Sequence, residues 1–130
     1  MPGLSERCMI RLGTCHVDLQ SIVIKVGTYQ PVMVTWGFRG KGEQNKAVAD
    51  GYSSLRWPNS KHNHMNGDNP ESLAVDIVPY KYGQVINWSD VDRWRLMASY
   101  MWQVGLKNDI KLKWGGYFGD YSHFELIGYE

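Results

Sequence analysis

Asp76 is the residue that most constrains this chain. It lies at the centre of Leu73-Ala74-Val75-Asp76-Ile77-Val78-Pro79, a short apolar run whose β-branched content predicts a strand. On a pleated strand Leu73, Val75 and Ile77 face one way, while Ala74, Asp76 and Val78 face the other. A carboxylate in such a strand is costly to bury alone, so the fold must bring it a positive partner. An arginine or a metal ion would each serve.

The other elements follow from periodicity and punctuation. Residues up to about position 12 carry weak signals. Thr14 is the predicted N-cap of a helix through Val17 to Lys25, with Asp18 early and Lys25 late, as the helix dipole favours. Pro31 to Trp36 reads as a strand with Val32, Val34 and Trp36 on one face. Gly37 to Gly42 is a glycine-rich loop without the flanking pattern of a phosphate-binding loop. Glu43 to Asp50 predicts a short helix stopped by Gly51, and Tyr52 to Ser72 an irregular stretch of the kind that is often functional.

Ser89 is the expected cap of a longer helix in which Val91, Trp94, Met97 or Ala98, Met101 and Val104 recur at helical spacing until Gly105. That stripe has the periodicity of a packing face. Ile110, Leu112 and Trp114 alternate as a strand, and Gly115-Gly116 marks a turn. Ser122 to Ile127 alternates again, with His123, Glu125 and Ile127 on one face and Phe124 and Leu126 on the other. No repeat, low-complexity segment or linker interrupts the chain. The expectation is one α+β domain over residues 1–130, a small antiparallel sheet flanked by helices, with no separate wall-binding domain.

Fourteen Lys and Arg against thirteen Asp and Glu leave a formal charge of +1, and Arg39-Gly40-Lys41 is too short to make an electrostatic nucleic-acid footprint. No run approaches the length needed to span a bilayer, and the first residues lack an apolar signal-peptide core, so the chain is expected in a cytosol unless something else releases it. Cys8 and Cys15 fit reduced thiols, and with His16 they do not match zinc-ligand spacing. Asp68 and Glu71 offer too few oxygens for calcium and read as a solvated loop. The six Trp and eight Tyr imply an aromatic core or an aromatic-walled cleft, and the core is the better expectation.

Four residues combine into a hydrolase constellation: His62, Asp76, Asp120 and His123. Two imidazoles and one carboxylate can hold zinc and leave a fourth position for water, the arrangement of a catalytic site. Asp120, three residues before His123, is placed to act as a base on that water, with Glu125 the second candidate.

The words Ser60-Lys61-His62, Ala74-Val75-Asp76-Ile77-Val78-Pro79-Tyr80 and Trp114-Gly115-Gly116, then Asp120-Tyr121-Ser122-His123-Phe124-Glu125-Leu126, together resemble the zinc D-alanyl-D-alanine carboxypeptidase family. They look most like its small phage endolysins, which act as L-alanyl-D-glutamate endopeptidases. The resemblance continues through Gly37-Phe38-Arg39, Glu43-Gln44 and Asp50 to Asn59, and Cys15-His16-Val17-Asp18-Leu19 is similar to the family's helix entry with Val17 in place of proline. It implies one zinc ion held by His62, Asp76 and His123, Asp120 as catalytic base, and Arg39 as the cation that polarises the scissile carbonyl or binds a substrate carboxylate. Ser60 would support the first ligand. The interval from His62 to Asp76 is longer than usual, so His64 to Asn69 reads as an inserted loop; His64 is the alternative ligand.

The implied function is cleavage of an amide bond in peptidoglycan stem peptides by a monomeric phage lysis enzyme without stable membrane insertion. It would be made in the cytoplasm of a bacterial host and reach the wall with a separate pore-forming protein. The rival expectations are a D-alanyl-D-alanine carboxypeptidase and a catalytically silent peptidoglycan-binding relative.

Overall fold

The strand expected around Asp76 forms as β4, Ala74–Val78, inside a four-stranded antiparallel sheet. Its neighbours are β1 (Met33–Trp36) and β6 (His123–Leu126), and β5 (Leu112–Trp114) closes the far edge, in the order β1-β4-β6-β5. The computed structural model describes residues 3–129. Among these residues four α-helices accompany the sheet: α1 (Glu6–Leu12), α2 (Val17–Tyr29), α3 (Lys41–Ala49) and α4 (Val91–Lys107). A small separate hairpin, β2 (Met65–Asn66) with β3 (Asn69–Pro70), occupies the segment expected to be an inserted loop.

Register divides the sheet into two chemically distinct faces. Val34 pairs with Ile77, Val75 with Phe124, Leu112 with Leu126 and Trp114 with Phe124, so one face is apolar. Directly opposed residues share a face. That face joins Leu19, Ile22, Val23 and Val26 of α2 and Trp94, Met97 and Met101 of α4 in the core. Each fully buried side chain of this kind contributes about 1.5–3 kcal/mol. Trp36 pairs with Asp76, Asp76 with His123, Ala74 with Glu125 and Lys113 with Glu125, which makes the other face polar.

Trp36 was expected beside Val32 and Val34. The register instead shifts between Val34 and Trp36, putting Val34 opposite Ile77 and Trp36 opposite Asp76. Adjacent residues of β4 face opposite ways, so this bulge carries Trp36 to the polar face, where it is 38% exposed.

Other boundaries differ for local reasons. His16 caps α2, its Nδ1 accepting from Asp18 N at 3.0 Å, whereas the Thr14 hydroxyl donates to Arg11 O at 2.6 Å and accepts from Phe38 N at 2.9 Å. Asp90, not Ser89, is the N-cap of α4. Gly105 does not end α4; it lets the returning chain pass, since a Cβ there would lie 2.9 Å from the Ile110 carbonyl. α1 forms where sequence signals were weak, capped by Ser5 accepting from Cys8 N at 3.2 Å, and packs on β1. Among the described residues no helix is long and apolar enough to cross a membrane.

Candidate metal centre

His62, Asp76 and His123 meet on the polar face of the sheet. One ligand atom from each lies within 4.8 Å of the others, and this is the group of three such residues that gathers among the described residues. His123 is opposite Asp76 in the β4–β6 ladder, so the pleat alone brings those two together. His62 comes from the irregular stretch, on a 3-10 turn, Lys61–Asn63. Ser60 caps that turn, its hydroxyl accepting from His62 N at 3.2 Å. The backbone then ties it to the Arg39 loop, with Arg39 N donating to His62 O at 2.9 Å.

Each imidazole is oriented by a second hydrogen bond. The His62 Nδ1 lies 2.8 Å from the Gly37 carbonyl, so Nδ1 donates there and Nε2 is the nitrogen turned to the site. Buried Nε2 has no hydrogen-bond partner and stands 3.5 Å from Asp76 Oδ1. The roles reverse at His123: Nε2 meets Glu125 Oε1 at 2.9 Å, and Nδ1 meets Asp76 Oδ1 at 3.1 Å. Ring nitrogens from two histidines thus converge on one carboxylate oxygen, and the buried unpartnered Nε2 is the group a divalent cation would satisfy. The donor set suits zinc.

Gly37 is required where it stands. A Cβ there would lie 2.4 Å from Thr14 Oγ1 and 2.5 Å from the Arg11 carbonyl, so only glycine lets the chain come close enough to present its carbonyl to His62. Gly115 serves the other histidine similarly, since a Cβ would meet the Asp120 carbonyl at 2.6 Å and His123 Cβ at 3.0 Å.

Arg39 is the arginine partner that Asp76 also needed: its Nη2 donates to Asp76 Oδ2 at 3.2 Å, and its guanidinium lies 5.1 Å from the Trp36 ring centroid. Burial by itself would raise the Asp76 pKa, but His62 and His123 outweigh it and hold the carboxyl well below the usual range. Burial likewise opposes charge on His123, yet hydrogen bonds to Asp76 and Glu125 push it up to about 9. Glu125 falls to about 2 through its bond to His123, helped by Lys61, whose Nζ is 3.0 Å from Glu125 Oε2.

Asp120 lies outside the ligand trio but lines the same cleft. Burial and the negative charge of Asp76 raise its pKa. Among the described residues its side chain hydrogen-bonds the Ser122 hydroxyl alone, at 3.5 Å, which leaves it open to another partner. His64 turns away: Nδ1 is 2.8 Å from the Glu71 carbonyl and 3.5 Å from its carboxylate. The cysteines do not gather with His16 either. Cys8 Sγ accepts from Val34 N, and burial pushes the Cys15 thiol up to about 12.

Two contributions were not read from the sequence, although Gly37 and Gln44 both stand in the family words. The glycine at 37 is visible there, but the acceptor role of its carbonyl is not. Buried Gln44 on α3 accepts from Asn63 Nδ2 at 3.2 Å and donates to the Leu55 carbonyl, while Asn63 Nδ2 also donates to the Arg39 carbonyl at 3.0 Å. This network locks the His62 turn against α3. The whole site opens into a cleft of about 980 Å³ whose walls include Trp36, Tyr52, Leu55 and Trp88. The aromatics therefore divide between the two expected uses, with Trp94 and Trp114 in the core and Trp36 and Trp88 in the cleft.

No curated protein matches this chain in sequence. The fold is similar to the crystal structure of Serratia marcescens L-Ala D-Glu endopeptidase ChiX, at 26% identity and a TM-score of 0.76, covering 94% of this chain and 87% of that one. The family model for the phage L-alanyl-D-glutamate peptidase matches residues 3–126. With nearly its whole described length matched, the chain belongs to the phage L-alanyl-D-glutamate peptidase family.

Proposed function

We propose that the chain is a zinc-dependent peptidoglycan endopeptidase that hydrolyses the L-alanyl-D-glutamate bond of the stem peptide. The observation that carries this reading is the buried, unpartnered Nε2 of His62, aimed at the carboxylate oxygen that His123 also meets. Family membership supplies the bond type.

His62 through Nε2, His123 through Nδ1 and Asp76 would hold one zinc ion, which makes a water acidic enough to attack near neutral pH and polarises the carbonyl. Asp120 takes the proton of the attacking water and passes it to the departing D-glutamate nitrogen. Its raised pKa suits both halves of that transfer, because a carboxyl poised closer to neutrality gives up the proton as readily as it accepts it. Arg39, beside Asp76 in the cleft, shares the negative charge that builds on the carbonyl oxygen; losing such a group typically costs roughly 100- to 1000-fold in rate. Ser60 keeps the His62 turn in place, and Glu125 orients His123.

Such an enzyme fits a phage lysis protein, monomeric, made in the cytoplasm of a bacterial host and reaching the wall through a separate pore-forming protein. Digestion of purified walls followed by analysis of the fragments tests the assignment. New L-alanine carboxyl and D-glutamate amino ends are expected. Release of free D-alanine would instead establish a carboxypeptidase, and zinc binding without hydrolysis a silent binder.

A further inference from the structure

Among the described residues the cleft is lined by four Lys and Arg side chains, Arg39, Lys46, Lys61 and Lys113, and three of them already face a carboxylate. Arg39 is on Asp76 at 3.2 Å, Lys46 on Asp50 at 2.6 Å and Lys61 on Glu125 at 3.0 Å. Lys113 is different. It is exposed, ion-pairs with no carboxylate among the described residues, and rests over the Phe118 ring at 5.4 Å from its centroid. Glu125 is directly opposite it in the β5–β6 ladder but is engaged by His123 and Lys61. The exposed face of a phenylalanine is a weak hold on an ammonium group, and a carboxylate arriving in the cleft would displace it.

Register fixes how near the reaction this ammonium can come. Because Lys113 is opposite Glu125, His123 is its diagonal neighbour on the same face. Diagonal cross-strand residues stand roughly 7–8 Å apart, and the four-carbon stem of lysine covers most of that distance. Lys113 can therefore deliver a positive charge to the edge of the ligand trio without leaving its strand.

The substrate brings a matching group. In a stem peptide continued through the side-chain carboxyl of D-glutamate, the α-carboxylate of that residue is free and one carbon from the scissile nitrogen. We propose that Lys113 binds this α-carboxylate and makes the enzyme prefer D-glutamate over its α-amidated form. The proposal rests on the endopeptidase reading above and adds to it the residue that reads the leaving side of the bond. Arg39, held on Asp76, is left to the carbonyl oxygen.

The test compares two synthetic stem peptides, one with free α-carboxylate and one with α-carboxamide, on zinc-loaded enzyme. Wild type is expected to favour the carboxylate roughly 5- to 10-fold in kcat/KM, as a charge-assisted contact at a partly exposed site allows, with the difference in KM and fading at high salt. Lys113→Met should bring the ratio close to one while leaving the amidated peptide's kcat/KM within about twofold of wild type. Lys113→Arg should restore the preference. An unchanged ratio in Lys113→Met, with both peptides still cleaved, would overturn this assignment alone. Failure of wild type to cleave either peptide would overturn the endopeptidase reading and this one with it.

Discussion

Removing the Glu125 carboxylate should weaken metal binding without abolishing the chemistry. Its Oε1 lies 2.9 Å from His123 Nε2, and Oε2 is 3.0 Å from Lys61 Nζ. With a pKa near 2, the group is a full anion at any pH where the enzyme would work. An anion on the outer nitrogen of a ligand histidine raises the basicity of the inner one, and losing such a partner typically costs about 10- to 100-fold in metal affinity. That range is about 1.4–2.7 kcal/mol.

The structure separates the two ends of the range. Glu125→Gln keeps an oxygen that can accept from Nε2 and loses only the charge, so about 10-fold is expected; Glu125→Ala loses both, and about 100-fold is expected. Zinc dissociation constants from competition with a chromophoric chelator measure this directly, with His64→Ala as a control because His64 faces Glu71 instead of the site. Turnover at saturating zinc should remain within a few-fold of wild type. If Glu125→Gln bound zinc as wild type does but lost turnover by orders of magnitude, Glu125 would be the base and the orienting role assigned to it would be wrong.

Three other perturbations follow from the same geometry. Asp120→Asn should retain zinc, since Asp120 stands outside the ligand trio, and lower kcat by roughly 10²–10⁴-fold; equilibrium dialysis beside a wall-turbidity assay checks both. Gly37→Ala should destabilise the fold by about 1–3 kcal/mol in urea unfolding, because the new methyl meets Thr14 Oγ1 and the Arg11 carbonyl, and should weaken zinc binding as the Gly37 carbonyl shifts off His62. Tyr129 donates to Asp18 at 2.7 Å and is raised to about 12 by that bond, burial adding to it. A folded pKa above the unfolded value means its contribution is complete below about pH 10 and disappears as pH rises through about 12. Alkaline unfolding should therefore be steeper for wild type than for Tyr129→Phe over that window.

The parts of the site that a sequence displays best are those set by strand alternation. Asp76 in an apolar run and His123 in an alternating one required only the pleat to face each other, and the ladder pairs them directly. His62 and Asp120 were already in the constellation of residue types, and the family words around Ser60, Asp76 and His123 agreed with it. The fold gathers His62 with Asp76 and His123, while Asp120 lines the same cleft. Trp36 was misplaced because a bulge adds a residue without a signature in composition, and that one residue reverses a face. The Gly37 carbonyl and the Gln44–Asn63 network were hidden for another reason. Backbone acceptors have no residue type, and a glutamine on a short helix is ordinarily solvated, so only three-dimensional proximity shows that Gln44 is buried beneath the His62 turn. Helix ends were also hard to place, as His16 and Asp90 took caps expected of Thr14 and Ser89.

Zinc K-edge absorption on the purified protein loaded with one equivalent of zinc tests the metal centre most directly. Two imidazole nitrogens and oxygen donors in the inner sphere are predicted for wild type, His123→Ala losing one nitrogen and most of its affinity while His64→Ala leaves the spectrum unchanged. A wild-type spectrum without histidine scattering, or one altered by His64→Ala and indifferent to His123→Ala, would contradict it.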